Sequence, residues 1–303
     1  MKRHTFPLAI TATLAALVLT ACGEDEPSGS ADDPASSPTQ SESEPTTSAP
    51  VSTPTESPTT SDTATAETVE APIFFAADTA NGQGLFAEVR TIEADNPLEE
   101  AAAIMVAGDA NDPDYRTLFP AGSFESIEYD GEKFVVTVPD DGWSTRAPGM
   151  SKADAELAVQ QLVYTLQAVE GAEVPVVVAP TGLLFGVDAS TIGAADELDV
   201  RGLVNVLSPG EGETVSGSFT ASGEASSFEA TVPWEVRDET GATVLDGFAT
   251  AEGWLDGLYP WETEVDVSGL EPGTYTFVAM TDDPSGGTEG HGPTEDTKTI
   301  VVE

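Results

Sequence analysis

Between Gly23 and about Glu70 the chain is built from Ser, Thr, Pro, Ala, Asp and Glu. It holds no Lys or Arg and no large apolar residue other than Val51 and Val69. Such a composition cannot bury enough apolar surface to offset the conformational entropy lost on ordering, so a disordered tether is expected here. Folding is thereby confined to the roughly 230 residues that follow, enough for two domains of ordinary size. Charge repulsion and Pro favour extension, so the roughly 48 tether residues reach on the order of 150 Å if polyproline-like and about 40 Å if coil-like.

The tether begins at Cys22, the only cysteine in the chain. With no second cysteine, neither an internal disulfide nor a Cys-rich zinc site is available. Upstream lie Lys2 and Arg3, the apolar span Phe6 to Val18, and then Leu19-Thr20-Ala21. A basic start, an apolar run too short to cross a hydrocarbon core of about 30 Å, and small residues before a cut site read as a signal peptide. The order Leu19-Thr20-Ala21-Cys22 resembles the lipobox of bacterial lipoproteins, in which the thiol receives a diacylglyceryl group and the chain is cut just before it. That resemblance implies a signal peptide over residues 1–21, a lipidated Cys22 heading a linker over residues 22–70, and a mature protein anchored at the extracytoplasmic face of the cell membrane. Two acyl chains give stable attachment where one alone is marginal.

Lys and Arg number 10 against 54 Asp and Glu, for a formal net charge of -44. A chain so acidic cannot neutralise phosphates, which excludes nucleic acid as a partner, and an anionic lipid surface repels it. Solubility is the ordinary reading of the acidity.

Beyond the tether the first half mixes helix and strand signals. "PIFFAAD" and "GLFAEVRT" read as two strands joined by a turn at Asn81-Gly82. In "DNPLEEAAAIMVAG", Asp95 or Asn96 can cap a helix, Pro97 suits its first position, Glu99 and Glu100 complement its dipole, and Gly108 ends it. "FESIEYDGEKFVVTV" alternates around Asp130-Gly131, which predicts a hairpin with a type I′ turn. "SKADAELAVQQLVYTLQAVEG" opens with a Ser151/Asp154 capping box, sets Ala155, Val159, Leu162, Leu166 and Val169 on one face, and stops at Gly171. Strand segments follow at "VPVVVAP" and "GLLFGV". The expectation is an α+β domain over residues 71–192, a mixed sheet with two helices on one face.

From about residue 200 the chain is strand-like, with seven segments and turn signals between them. That spacing predicts an all-β sandwich over residues 200–303. The acidic stretch Gly193 to Gly202 marks the break. Alternation in "TVPWEVRD" puts Val232, Trp234 and Val236 on one face, so Trp234 is the expected core aromatic. Tyr275 ahead of Phe277 resembles the tyrosine corner of immunoglobulin-like domains, with Phe277 where antibody domains keep a cysteine.

The segments "LFPAGSFESIEYDGEKFVVTV" and "LAVQQLVYTLQAVEGAEVPVVV" resemble the GerMN domain of sporulation and spore-germination proteins and of other bacterial envelope lipoproteins, over Pro72 to Asp188. The C-terminal part is similar to the immunoglobulin-like domain of bacterial spore germination proteins. Ser208-Pro209, Val215-Ser216-Gly217, Gly223, Phe228-Glu229-Ala230 and Trp234 carry that match. Neither family brings a catalytic motif. The resemblances imply envelope assembly or recognition, with another envelope protein or a cell-wall polymer as partner.

The chemistry agrees. The mature chain keeps one histidine, His291, in a Gly-rich loop ill suited to hold a base near a nucleophile, and no nucleophile elbow, P-loop or dinucleotide fingerprint occurs. No catalytic residue, cofactor or metal is expected. "DANDPDYRTLFP" starts like an EF-hand loop but fails it: Pro113 stands at the third ligand position, Asp114 at the required Gly and Pro120 at the closing Glu. The loop from Asp282 to Asp296 offers at most a weak calcium site through Asp282, Asp283, Glu289, Glu295 or Asp296. "GWLDGLYPWETE" brings Trp254, Tyr259 and Trp261 close together near a loop. Either the rings pack beneath it against the sandwich, or they form a surface for a protein partner or a carbohydrate such as peptidoglycan.

Overall fold

The computed structural model describes residues 67–80, 82–139, 141–283 and 293–303, within a compact unit spanning Asp62–Glu303. The signal peptide, Cys22, nearly all of the linker, Asn81, His291 and most of the 282–296 loop lie outside the described residues. The first strand starts earlier than expected. β1 (Thr68–Thr79) takes in the last residues assigned to the linker and pairs antiparallel with β2 (Gly82–Glu93) from Thr68↔Glu93 to Thr79↔Gly82.

Both faces of this ribbon are covered. Ile73, Phe75 and Phe86 enter the main core with α1 (Pro97–Ala107) and α2 (Lys152–Glu170), while Phe74, Ala76, Leu85 and Ala87 form a second cluster beside Leu157, Tyr164 and Ala168 of α2. The free edge of β1 is closed by helix side chains instead of a strand. Buried Gln161 donates to Phe74 O at 2.9 Å, and Thr165 Oγ1 accepts from Phe74 N at 3.1 Å. These bonds satisfy backbone groups that would be costly to bury unpaired.

The signals of α2 hold in detail. Ser151 accepts from Asp154 N while Asp154 accepts from Ser151 N, and Gly171 closes α2 in the left-handed conformation. Gly108 closes α1 the same way. Asn96 precedes α1 but makes no side-chain bond to its backbone; its amide donates to Glu99 instead.

The expected mixed sheet is a separate three-stranded layer. β3 (Ser126–Tyr129) is antiparallel to β4 (Phe134–Thr137), and β4 is parallel to β5 (Val176–Ala179), with α2 supplying the crossover that parallel strands require. In the β3–β4 hairpin positive φ falls on Gly131 alone (92°). Asp130 N donates to Lys133 O, so Gly131 and Glu132 are the central pair and Asp130 flanks them. Its carboxylate accepts from Glu132 N, Lys133 N and Lys133 Nζ, which stabilises the turn one residue later than a type I′ turn at Asp130-Gly131 would place it. A small pair, β6 (Leu183–Leu184) with β7 (Val187–Asp188), completes this half.

A short helix, α3 (Glu197–Val200), capped by Asp196, occupies the stretch expected to be a break. The remainder is a two-sheet sandwich. One sheet has the order β13 (Tyr259–Asp266), β10 (Ser218–Ala225), β8 (Val204–Ser208). The other runs β12 (Thr243–Thr250), β11 (Thr231–Arg237), β14 (Gly273–Met280), β15 (Glu295–Val302), β9 (Glu213–Val215). The segment "TVSGSFTASGEA" divides into β9 and β10, giving eight strands rather than seven. Trp234 lies in the core, its ring 6.2 Å from that of buried Phe277, and Tyr275 Oη donates to Glu271 O at 2.9 Å as a tyrosine corner does. Phe277 also meets Phe219 of the facing sheet at 5.9 Å, so aromatic rings span the two sheets in a core that has no disulfide. Among the described residues no helix is long and apolar enough to cross a membrane.

Candidate functional site

The three aromatic residues of "GWLDGLYPWETE" have three different fates. Trp254, in the loop between β12 and β13, is 46% exposed and meets the ring of Phe228 edge-on at 5.6 Å. Tyr259 is half-buried at the start of β13, and its hydroxyl donates to Asp256 at 2.8 Å. That bond, and then the Asp256 charge, raise the phenol above its ordinary pKa. Trp261 is 3% exposed and points into the sandwich core, which removes it from the expected surface. Strand parity explains this: Trp261 and Val265 share the inward face of β13.

The large apolar side chains exposed in this region are Trp254 and Leu255 in the loop and Phe248 on β12, near the end that enters it. Leu255 is 54% exposed and Phe248 68%. Leu255 holds φ at 65°, a conformation that bulky residues rarely adopt. Glu197 of α3 ties the loop down by accepting from Leu258 N at 2.6 Å. Phe248 was legible in "TVLDGFATAEG": Leu245 and Ala249 point inward, so Phe248 has the opposite parity.

A second constellation joins the two halves. On β15, Asp296 and Lys298 share a face with Ile300 and Val302, but they lie past the sandwich core and meet the first half instead. Lys298 Nζ donates to Asp112 at 2.6 Å, to Tyr115 Oη at 2.8 Å and to Asp296 at 3.3 Å, and sits 4.3 Å from the Tyr115 ring centre. Tyr115 in turn donates to both Asp296 oxygens, at 2.9 and 3.0 Å. Asp296 also accepts from Val206 N (2.6 Å) and Asn205 Nδ2 (3.2 Å). Asn205 then grips β2 through both backbone groups of Ala87, accepting from its N–H at 2.7 Å and donating to its carbonyl at 3.2 Å. Behind this, Glu88 accepts from Asn111 N, Asp112 N and Arg90, which fixes the loop carrying Asp112.

The electrostatics follow from burial. Burial first, and then the Asp296 and Asp112 charges, push the Tyr115 phenol well above its ordinary value, so it stays protonated and donates. Burial pulls the Lys298 ammonium down, but Asp296 and Asp112 outweigh it and hold it above the usual lysine range. Burial pushes Asp296 up. With two carboxylates sharing one ammonium, Lys298 is held charged more firmly than Asp296 is held ionised. Asp296 is thus committed to the junction and is not available as the loop calcium ligand the sequence suggested. Among the described residues no group of three or more His, Cys, Asp or Glu is placed to hold a metal ion.

The stretch between the halves is stitched down as well. Gly202 N donates to Leu85 O at 2.9 Å, Tyr164 Oη donates to Ala195 O at 2.7 Å, and Ala195 N donates to Gln160 at 2.8 Å. A Cβ on Gly202 would stand 2.3 Å from the Phe86 ring, so only Gly fits there. Nothing local marks this junction: Asp112 and Lys298 are separated by 186 positions, and only the parity of Asp296 and Lys298 with Ile300 and Val302 hints at burial.

Residues 72–178 match the family model Germane, described as sporulation and spore germination. Residues 203–288 match Gmad2, described as the immunoglobulin-like domain of bacterial spore germination. A likeness to a solved structure, the tandem GerMN domains of the sporulation protein GerM from Bacillus subtilis, has 13% identity and a TM-score of 0.34. It covers 67% of this chain and 62% of that one, so the chain spans less than two thirds of the length of that structure. No curated protein matches this chain.

Proposed function

We propose, for a chain that carries a sporulation and spore-germination domain of the Germane type followed by an immunoglobulin-like domain of the Gmad2 type, that it is a non-enzymatic binding or assembly protein of the bacterial cell envelope. It is anchored at the extracytoplasmic face of the membrane by lipid on Cys22. The supporting observation is the use made of its buried ionisable groups. Strongly perturbed side chains in a protein are the first candidates for chemistry. Here Tyr115, Asp296 and Lys298 are spent on each other and on the backbone, joining the two domains. Function then falls to the surface, and Trp254, Leu255 and Phe248 are the exposed apolar groups a partner protein can cover.

Fractionation of cells tests the anchoring: Cys22→Ser moves the protein from the membrane to the soluble fraction, and a variant that still fractionates with membrane refutes it. A photo-crosslinking residue at 248 tests the binding surface by capturing an envelope protein in intact cells. The exposed Trp254 ring also supports a second reading, carbohydrate or peptidoglycan binding. Retention on purified cell wall that is lost in Trp254→Ala would establish it. Of the three rings grouped in the sequence, Trp261 is in the core and Tyr259 is tied to Asp256, which leaves Trp254 alone open to a sugar, so a protein partner ranks first.

A further inference from the structure

Most strand edges of this fold are closed or blunted. The edge of β1 is met by Gln161 and Thr165, that of β2 by Gly202 and Asn205, and that of β8 by Asp296, which accepts the Val206 N–H. β5 is bonded along its edge to Ala189 and Ile192, and β3, β6, β7 and β9 are no longer than four residues. β13 ends its sheet, but Pro260, Glu262 and Glu264 line its exposed face. Pro and charged side chains are the usual devices that keep an edge from pairing. β12 lacks them. It is the last strand of its sheet, eight residues long, with neither Pro nor Lys, and one charge, Asp246, stands between Val244 and Phe248 on its outward face.

The register shows which backbone groups β12 leaves open. In an antiparallel ladder alternate residue pairs exchange both hydrogen bonds, and the residues between them turn their N–H and C=O the other way. Phe248 stands opposite Pro233, which has no N–H to give, and just past the strand Ala251 N donates to Ala230 O at 2.8 Å. Both observations place the bonded pairs at Val232↔Ala249, Trp234↔Gly247 and Val236↔Leu245. Asp246, Phe248 and Thr250 therefore direct their backbone groups to the free edge. Among the described residues no hydrogen bond from outside the β11–β12 ladder reaches them. Two residues on, Glu252 N keeps the same direction and donates to Pro260 O of β13, which ends the open stretch. Along that stretch the side chains offered to a neighbour are Val244, 38% exposed, and Phe248, 68% exposed, on either side of Asp246.

We infer that β12 receives an extended segment of a partner protein as a further strand, with an apolar side chain beside Phe248 and a Lys or Arg beside Asp246. Strand addition to an open edge takes its affinity from main-chain hydrogen bonds and its selectivity from alternate side chains. Cross-strand neighbours favour apolar against apolar and charge against opposite charge. A basic segment also suits the formal net charge of -44. A second copy of this chain is disfavoured, because it brings the same net charge and another Asp246 to the edge. The inference rests on the reading that a partner protein covers Trp254, Leu255 and Phe248, and it adds the form in which that partner binds.

Amide hydrogen exchange of the Cys22→Ser chain, read by NMR, tests this with the peptide Thr-Val-Thr-Lys-Thr-Val-Thr as probe. In the free chain Phe248 and Thr250 exchange faster than Gly247 and Ala249, whose amides β11 holds; equal protection of all four contradicts the open edge. Saturating peptide slows Phe248 and Thr250 by about tenfold and leaves Ala249 unchanged. A peptide that does not bind, or binds without slowing them, overturns the inference. Asp246→Pro removes one edge donor and sets a ring in the way, so it weakens peptide binding by about tenfold or more. Asp246→Asn removes only the charge and weakens it by about fivefold or less. Circular dichroism of each variant checks that the sheet is retained. A peptide N-methylated at every amide makes the same test without altering the protein: it should not bind, and binding equal to that of the parent peptide refutes strand addition. The photo-crosslinking residue at 248 separates the two readings. Capture that persists in Asp246→Pro keeps the binding surface and refutes the added strand; no capture with Asp246 intact refutes the surface, while exchange with the peptide still reports on the edge.

Discussion

Removing the Lys298 ammonium leaves Asp112 and Asp296 facing each other in a buried junction. Breaking a buried pair from one side costs about 3–5 kcal/mol, far more than the intact pair is worth against an apolar replacement. Lys298→Met should therefore lower unfolding free energy in urea by about that much, and Tyr115→Phe, which loses hydroxyl bonds only, by about 1–2 kcal/mol. The pH dependence has a definite sign. Folded Lys298 and Tyr115 bind their protons more tightly than the unfolded residues do. Their contribution is complete below about pH 10, the ordinary range of an unfolded Tyr or Lys, and is lost as pH rises through the folded values. Urea midpoints taken across that range should fall on the alkaline side, less steeply in Lys298→Met; a flat profile contradicts the assignment. Gly202→Ala should cost about 1–3 kcal/mol as overpacking against Phe86.

The elements divide by how local their causes are. Both long helices are legible residue by residue, because a capping box, a first-turn Pro and a left-handed Gly act within one turn. Ser151→Ala should accordingly cost about 1 kcal/mol. The β3–β4 hairpin is legible in place but not in turn type, since Asp130 flanks the central pair and its carboxylate gathers donors from Glu132 and Lys133. Closure of the β1 edge is not legible, because Gln161 and Thr165 look like ordinary helix residues until Phe74 is brought beside them. Gln161→Leu leaves Phe74 O and Leu118 N without that partner. Amide exchange should then quicken at Leu118, whose N–H loses its acceptor, and hold steady at amides of β14. The aromatic loop was half legible: proximity in sequence gathered Trp254, Tyr259 and Trp261, while strand parity alone separates the exposed from the buried.

At the scale of the molecule, a mixed domain followed by a sandwich was readable from patterning and from resemblance, whereas their union was not. Asn205, Asp296 and Lys298 reach Ala87, Asp112 and Tyr115 only after both domains exist, so no window of sequence contains the cause. Buried polar groups of this kind add specificity of register more than net stability. The two domains are thereby held in one frame. Differential scanning calorimetry of the Cys22→Ser chain tests that frame most directly. The account predicts one cooperative transition with matching calorimetric and van't Hoff enthalpies, dividing into two in Lys298→Met. Two separate transitions in the chain with Lys298 intact would contradict it.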